Sequence, residues 1–255
     1  MRNVTVGGML KKERHNFIIR QINLHNKVLS SDLSLNLQVS EDTVRRDLNE
    51  LAESGKILKV HGGALSKSFH SPYEQKNIYA HESKNEVGRK AISLISEGMT
   101  IVTGGGTTML EMARLIPDDM EVTFFTISPL VALELAKKKS LSVILIGGTL
   151  CKSSHVNIGS KTIADLSEIG VDLCFLGANG IDLKDGITDS DWEIIHVKKA
   201  MIKASSKTAI LCISEKLNSI KQMKVCPINA IDYLITDLQP NDPKVRLYGS
   251  HTKLI

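Results

Sequence analysis

Cysteine is scarce and unpatterned in this chain. Four of 255 residues, Cys151, Cys174, Cys212 and Cys226, stand far apart with no Cys-x-x-Cys pair. Metal clusters and disulfide frameworks need tighter spacing, so these read as reduced thiols, and neither a metal nor a cofactor is expected. Cys174 and Cys212 lie inside apolar runs, where a thiol packs as a small hydrophobe. Long hydrophobic runs are also missing: none approaches the ~20 residues that span a bilayer. The opening stretch MRNVTVGGMLKKER lacks the apolar segment and cleavage site of a secretory signal. The expectation is a cytoplasmic protein with no membrane partner. Internal repeats and low-complexity tracts are absent as well.

What is present is an ordinary globular composition, 42% hydrophobic and 24% charged, in a chain long enough for a small domain plus a medium one. The net charge of +4 is unevenly spread. Residues 1–65 carry ten Lys/Arg against seven Asp/Glu, whereas residues 66–255 carry twenty-two against twenty-one. A basic excess packed into a small segment suits a polyanionic partner, although many basic domains bind no nucleic acid.

The texture of the sequence divides it into three parts. Helical periodicity dominates residues 10–65. A polar stretch without a clear period, SKSFHSPYEQKN, marks a linker at 66–80 that runs into a helix expected at residues 81–97. From Thr100 onward, short apolar runs (TIV, EVTFFTI, LSVILIGG, VDLCFLG, TAILCI, IDYLIT) alternate with turns and helical stretches. Continuous apolar strands separated by helices predict a doubly wound, mainly parallel α/β domain over residues 81–255.

In the first part, Lys11 to His25 reads as a helix with Ile18, Ile19 and Ile22 on its inner face. The segment DLSLNL alternates polar and apolar residues, which by period alone suggests a strand. A short helix capped by Ser30 or Ser31, with Leu33 and Leu37 one turn apart, competes with that reading and fits the following segment better. Ser40 before Glu41 and Asp42 is a helix start with an oxygen cap and an acidic first turn. Val44, Leu48 and Leu51 fall in one sector of that helix, while Asp42, Arg46 and Asn49 face away with Thr43 and Arg45 on the flanks. Such a face carries donors for phosphates and base edges. GKILKVHGGALS then offers two alternating arms around Gly62-Gly63, with Lys56, Lys59 and His61 as donors near a phosphate backbone. Helix, short helix, charged helix and hairpin, in that order, make a winged helix-turn-helix.

The stretch VSEDTVRRDLNELAESGKILKVHGGALS strongly resembles the DNA-binding signature of the DeoR family of bacterial regulators. That resemblance implies DNA contacts from Thr43, Arg45 and Arg46 in the recognition helix and from His61-Gly62-Gly63 in the wing. Ser40, Asn49 and Lys59 complete the candidate DNA-binding set.

Three segments of the α/β part carry candidate chemistry. In TIVTGGGTTML, a strand runs through Gly104 into Gly105, Gly106, Thr107 and Thr108 at a helix start, where backbone N–H groups, the helix dipole and two hydroxyls suit an anion. This is neither a P-loop nor a dinucleotide fingerprint. In VILIGGTLCKSSHVNIG, Gly147 and Gly148 follow a strand, and Lys152 is a candidate phosphate partner. His155 has no assigned role. In FLGANGIDLKDGITDSDWEIIHVKKAMI, Asn179, Gly180, Asp182, Thr188, Asp189 and Lys198 gather near a strand end, the usual crevice of such sheets. Amide, carboxylate and ammonium groups there suit a polyhydroxylated anion.

These segments resemble the sensor domain of the same family, which is similar to ribose-5-phosphate isomerase and its CoA-transferase-like relatives. The resemblance implies a sugar-phosphate effector, adds Lys216 to the effector-binding set, and makes the chain a homo-oligomeric (dimeric or tetrameric) repressor of carbohydrate genes acting on a double-stranded DNA operator. Two positions depart from the family pattern: Gly104 and Ile213 stand where an Asp is common. An enzyme is not expected. Aldose–ketose isomerisation needs a carboxylate base, and the loop that supplies it in the isomerases reads GANGID here, with Asn179 at its centre. Two alternatives stay open at this point: an isomerase-like enzyme using Asp182, Asp189, Asp191 or Glu193, and a regulator whose second domain only assembles through Phe124 and Phe125 or the tail after Asp237.

Overall fold

The computed structural model describes residues 9–25, 27–66 and 78–255. Two compact units meet in the chain between Tyr79 and Ala80. Most of the linker expected at 66–80 lies outside the described residues.

The first unit runs α1 (Lys11–His25), β1 (Lys27–Leu29), α2 (Ser30–Leu37), α3 (Glu41–Glu53), β2 (Ile57–Val60) and β3 (Gly63–Ser66). Ile18, Ile22, Leu33, Leu37, Val44, Leu48 and Leu51 close its core, with Val28, Ile57 and Ala64 contributed by the strands. Ile19 is only partly buried beside them. DLSLNL is helical: Leu33 and Leu37 are buried, while Leu35 is 77% exposed, which a strand with all three leucines on one face would not allow. The expected serine cap of α2 is corrected. Leu29 occupies the cap position without a side-chain hydrogen bond, because β1 leads directly into the helix. Ser40 does cap α3, its Oγ accepting from the Thr43 amide at 3.2 Å. β3 lies between β1 and β2 in an antiparallel sheet, completing the winged helix-turn-helix. The strand β1 was not foreseen, being only three residues long.

The second unit is built on seven parallel strands in the order β6-β5-β4-β9-β12-β14-β15. These are β4 (Thr100–Thr103), β5 (Thr123–Thr126), β6 (Ser142–Leu145), β9 (Val171–Gly177), β12 (Ser205–Leu211), β14 (Tyr233–Ile235) and β15 (Lys253–Leu254). Helices α4 (His81–Ile92), α5 (Thr107–Leu115), α6 (Pro129–Leu135), α7 (Ser160–Ser167) and α8 (Trp192–Lys203) connect and cover them. The helix α4 ends five residues earlier than its pattern suggests. Ser93 and Leu94 tighten onto the carbonyls of Lys90 and Ala91, and Gly98 turns the chain at φ 79°. A hairpin of β7 (Thr149–Cys151) and β8 (Val156–Ile158), and an antiparallel trio of β10 (Gly180–Asp182), β11 (Gly186–Asp189) and β13 (Met223–Cys226), sit outside the main sheet.

Strand order locates the crevice. The chain enters at β4 in the middle, moves outward through β5 and β6, then returns to β9 on the other side of β4 before continuing outward. Connections therefore diverge above the carboxyl ends of β4 and β9, which is where open parallel sheets hold ligands. Phe124, Phe175, Ile101 and Val102 are fully buried in these central strands. Phe124 is thus core and cannot offer an assembly surface, which removes it from the alternative that relied on it. The buried hydroxyls of Thr103 and Thr126, 3.0 Å apart, tie β4 to β5 just below the crevice.

Candidate functional site

On the first unit, α3 presents Arg45 and Arg46 with side chains 66% and 78% exposed. Both engage Asp42: Arg45 through a close contact, and Arg46 Nη2 at 2.8 Å from Oδ2. Exposed pairs of this kind are weak, so phosphates can displace the carboxylate. Lys59 on β2 donates to Asn49 Oδ1, joining hairpin and helix. The Ser40 and Thr43 hydroxyls lie 2.9 Å apart, and Ser40 serves as the helix cap. His61 and Gly62 are exposed at the hairpin turn, where Gly62 adopts φ 74°. Gly63 is different. It is buried, and a Cβ there would stand 2.0 Å from the Val28 carbonyl oxygen, so its role is the close approach of β1 and β3 rather than a DNA contact.

Beneath α3, Asp47 is 2% exposed and receives Arg14 Nη2 at 2.9 Å and His15 Nε2 at 3.0 Å. Burial would raise its pKa, but the hydrogen bonds from Arg14 and His15 hold the carboxyl below the usual range. α1 is thereby clamped to the back of the recognition helix.

In the second unit the two sides of the switch point are built differently. On the β4 side, Gly104 N donates to the Phe175 carbonyl at 3.0 Å, and Gly106 begins α5 at φ 102° without a side-chain cap. The first-turn N–H groups of α5 have no partner within the helix, which leaves them for an anion. Thr107 is nearly buried and Thr108 half-buried. Gly105 is demanded by packing, since a Cβ would meet Val156 Cγ1 at 2.4 Å. Gly104 has no such constraint: its Cβ would find nothing nearer than Leu176 Cδ2 at 3.5 Å.

On the β9 side, three polar groups close on one carboxylate. Asp189 Oδ2 accepts from Lys198 Nζ at 2.7 Å, and Oδ1 accepts from Asn179 Nδ2 at 2.8 Å and the Ser190 amide at 2.7 Å. Lys198 also donates to the Gly177 carbonyl at 2.8 Å, and Lys216 to the Ala178 carbonyl at 3.0 Å. Burial works to raise the Asp189 pKa, but the Lys198 charge and these hydrogen bonds bring it below the ordinary carboxylate value. Burial pushes the Lys216 ammonium below the ordinary lysine range.

Three candidates on this side turn out to build the fold. Asp182 Oδ1 accepts from the amides of Lys184 and Asp185 at 2.8 and 3.1 Å, closing the β10–β11 turn. Thr188 is fully buried and accepts the Lys221 amide at 2.9 Å. Gly180 is needed because a Cβ would stand 2.6 Å from the Thr188 hydroxyl oxygen. Gly148, at φ 152°, is likewise structural: a Cβ would strike Thr162 Oγ1 at 2.0 Å, while the Gly147 carbonyl accepts that hydroxyl at 2.8 Å. Gly148 also lines a cavity of about 490 Å³ with Thr149, Ile158, Gly159, Ser160 and Lys161, apart from the β9 cluster. Lys152 is exposed between β7 and β8.

Sequence reading missed Lys84. It lies on α4 and is 5% exposed. Burial and the charge of Lys216 lower its pKa to about 7, against the opposing pull of Glu111 and Glu215. The signal was available: Lys84, Val87, Gly88 and Ala91 share one face of α4, so the lysine sits on the buried stripe. Nearby Glu111, 2% exposed, pairs with Arg114 and, at 3.1 Å, with His81. No group of His, Cys, Asp and Glu among the described residues could hold a metal. The four cysteines are unpaired thiols, and burial raises the Cys212 pKa to about 12. No helix among the described residues is long and apolar enough to cross a membrane.

Residues 79–238 match the DeoR C terminal sensor domain, and residues 14–69 match the DeoR-like helix-turn-helix domain. The chain is similar to the HTH-type transcriptional repressor GlcR of Bacillus subtilis, 34% identical over 236 residues that cover 91% of each chain. It is also similar to the Glycerol-3-phosphate regulon repressor of Escherichia coli, 30% identical over 245 residues, 95% of this chain and 97% of the relative. Among solved structures it is similar to ribose 5 phosphate isomerase A from Neisseria gonorrhoeae over 53% of each chain, with 17% identity and a TM-score of 0.39.

Proposed function

The chain belongs to the DeoR family of transcriptional regulators, and from that we propose that it represses carbohydrate genes under the control of a phosphorylated sugar bound above the carboxyl ends of β4 and β9. It is a DNA-binding regulator and not an enzyme, as its relatives are. The domain limits we assign are 10–65 for the winged helix, 66–80 for the linker and 81–255 for the sensor. A cytoplasmic homo-oligomer, dimeric or tetrameric, matches repeated half-sites through its own symmetry.

The observation that carries the effector reading is the gathering of buried lysines near the switch point. Lys198 pairs with Asp189, Lys216 donates to the Ala178 carbonyl, and Lys84 lies within the field of Lys216 as well as of Glu111 and Glu215. Such a cluster suits a phosphate dianion, and the open first turn of α5 supplies N–H donors for its oxygens. Asn179 and the Asp189–Lys198 pair are then the hydroxyl-reading groups. In the DNA-binding unit, Thr43, Arg45, Arg46, Asn49, Lys59, His61 and Gly62 are the groups assigned to the operator. Effector control requires that the sugar phosphate bind the operator-free and operator-bound states with different affinities.

A thermal-shift screen of phosphorylated sugars, their free sugars and inorganic phosphate tests the reading. A ligand at a hundred times its dissociation constant stabilises the fold by about 2.7 kcal/mol. Stabilisation by one phosphosugar but not by its free sugar is expected. A screen in which no phosphorylated compound shifts the transition overturns the effector assignment.

A further inference from the structure

The two edges of the seven-stranded sheet are treated very differently. At one, β15 is two residues long and carries Lys253, the short charged edge that discourages strand addition. At the other, β6 pairs among the described residues only with β5. Its surroundings, LSVILIGGT at residues 141–149, contain no charge and no proline. Ile144 and Leu145 remain 44% and 45% exposed on this strand. Leu133 on the neighbouring α6 is 58% exposed, and Leu150 on β7, which follows β6 directly, is 49% exposed. Such an edge is an aggregation hazard unless another chain covers it.

The hydrogen-bond parity of β6 says how it would be covered. Ser142 N and Ile146 N donate to the Val122 and Thr126 carbonyls of the β5 side, at 3.0 and 2.9 Å. The ladder alternates, so the N–H and C=O groups of Val143 and Leu145 point to the open edge. Two donors and two acceptors, spaced two residues apart on one strand, are complementary to a reversed copy of themselves.

We infer that β6 pairs antiparallel with β6 of a second copy of this chain, about a two-fold axis passing beside Ile144. This deepens the homo-oligomer reading above by assigning its interface. Val143 of each copy exchanges both backbone hydrogen bonds with Leu145 of the other. The two Ile144 residues face each other as a non-hydrogen-bonded pair, with Cα atoms about 4.5 Å apart. A second copy is the occupant because the edge is self-complementary, because an uncharged strand offers nothing to a charged partner, and because a single recognition helix reads one half-site whereas a two-fold pair reads two. Leu133 and Leu150 extend the contact on either side of the strand.

The test is sedimentation of the full chain together with two kinds of variant. Wild type is expected to be a dimer or a multiple of one at micromolar concentration. Ile144→Lys and Leu145→Lys are expected to shift it to smaller species while keeping the melting transition of each protomer. Independently of any folding defect, Ile144→Cys in a Cys151→Ser, Cys226→Ser background is expected to form a covalent dimer on mild oxidation. Val143→Cys in the same background is not, because that register separates its two copies too far for a disulfide. A wild-type monomer overturns the homo-oligomer reading and this interface together. A dimer that survives both lysine variants, with no crosslink through position 144, overturns the interface alone.

Discussion

Lys198 Nζ stands 2.7 Å from Asp189 Oδ2, and the two side chains are 13% and 1% exposed. A carboxylate so deeply placed is tolerable only while its partner remains. Lys198→Met should therefore lower the unfolding free energy by about 3–5 kcal/mol, the range for stranding one buried charge. Chemical denaturation of the two proteins at pH 7 measures the difference. The pH dependence follows from the lowered Asp189 pKa. A carboxyl whose folded pKa lies below its unfolded one stabilises the fold above the unfolded value, about 4, and that contribution is lost as the pH falls through the folded value. Comparing Asp189→Asn with wild type from pH 7 downward should show the stability gap closing only on the acid side of about pH 4.

Lys84 titrates in the opposite sense. Its folded pKa is about 7 against an ordinary 10.5. Between those values the unfolded chain carries a proton that the folded one lacks, so this group makes stability rise with pH by ~1.4 kcal/mol per unit, and below pH 7 its contribution is constant. Lys84→Met should abolish that rise and be more stable than wild type near neutrality. Thermal or urea unfolding of both proteins from pH 6 to 9 isolates the term. The same substitution should weaken phosphosugar binding. Using sulfate, which stays doubly charged across that range, separates protein titration from ligand titration: wild-type affinity should fall as the pH rises above 7, and the fall should be smaller in Lys84→Met.

Adjacent glycines in the β4 turn should respond oppositely to a methyl group. At Gly105 a Cβ would meet Val156 Cγ1 at 2.4 Å, and Gly105→Ala should cost about 1–3 kcal/mol through overpacking. At Gly104 the nearest atom is 3.5 Å away, an ordinary contact. Gly104→Ala should therefore fold as well as wild type, whereas Gly104→Asp adds the carboxylate that the family pattern has at a position that is buried here, at a cost set by the hydrogen bonds it finds. The expected outcome is an unchanged melting temperature for Gly104→Ala and a changed order of preference in the phosphosugar screen for Gly104→Asp. A destabilised Gly104→Ala protein would mean the glycine is required by the backbone.

The elements that sequence reading recovered are those whose period and boundary agree. α3 has a capping serine and a narrow apolar sector, and six strands of the main sheet overlap the apolar runs read from Thr100 onward. What it missed was short or set by tertiary contact. β1, β10 and β15 are two or three residues long and, unlike the equally short β14 inside IDYLIT, lie in no longer apolar run. At the site, motif reading found Asn179, Asp189 and Lys198, the family resemblance added Lys216, and the four lie together at the end of β9. It also gathered Asp182, Thr188 and Gly180, because residue type alone cannot say whether a polar group faces a crevice or satisfies a neighbouring turn. Lys84 escaped for the reverse reason. It lies outside every motif, and only its position on the buried stripe of α4 distinguishes it from a solvated lysine.

Asp42 holds both arginines of the recognition helix, and this competition shapes how the operator is bound. If Arg46 neutralises one phosphate, Arg46→Ala should reduce the slope of log affinity against log salt by about one unit, with a loss that is uniform across operator and unrelated DNA. Asp42→Asn removes the internal competitor while keeping a polar side chain in the first turn of α3. Its affinity should rise at low salt, because the arginines no longer exchange a carboxylate for a phosphate, and the gain should shrink as salt screens both interactions. Titrating both variants and wild type with labelled operator at several salt concentrations resolves the two effects. Parallel salt slopes for Arg46→Ala and wild type would remove Arg46 from the phosphate contacts, whereas weaker binding by Asp42→Asn would make that carboxylate an organiser of the reading face rather than its competitor.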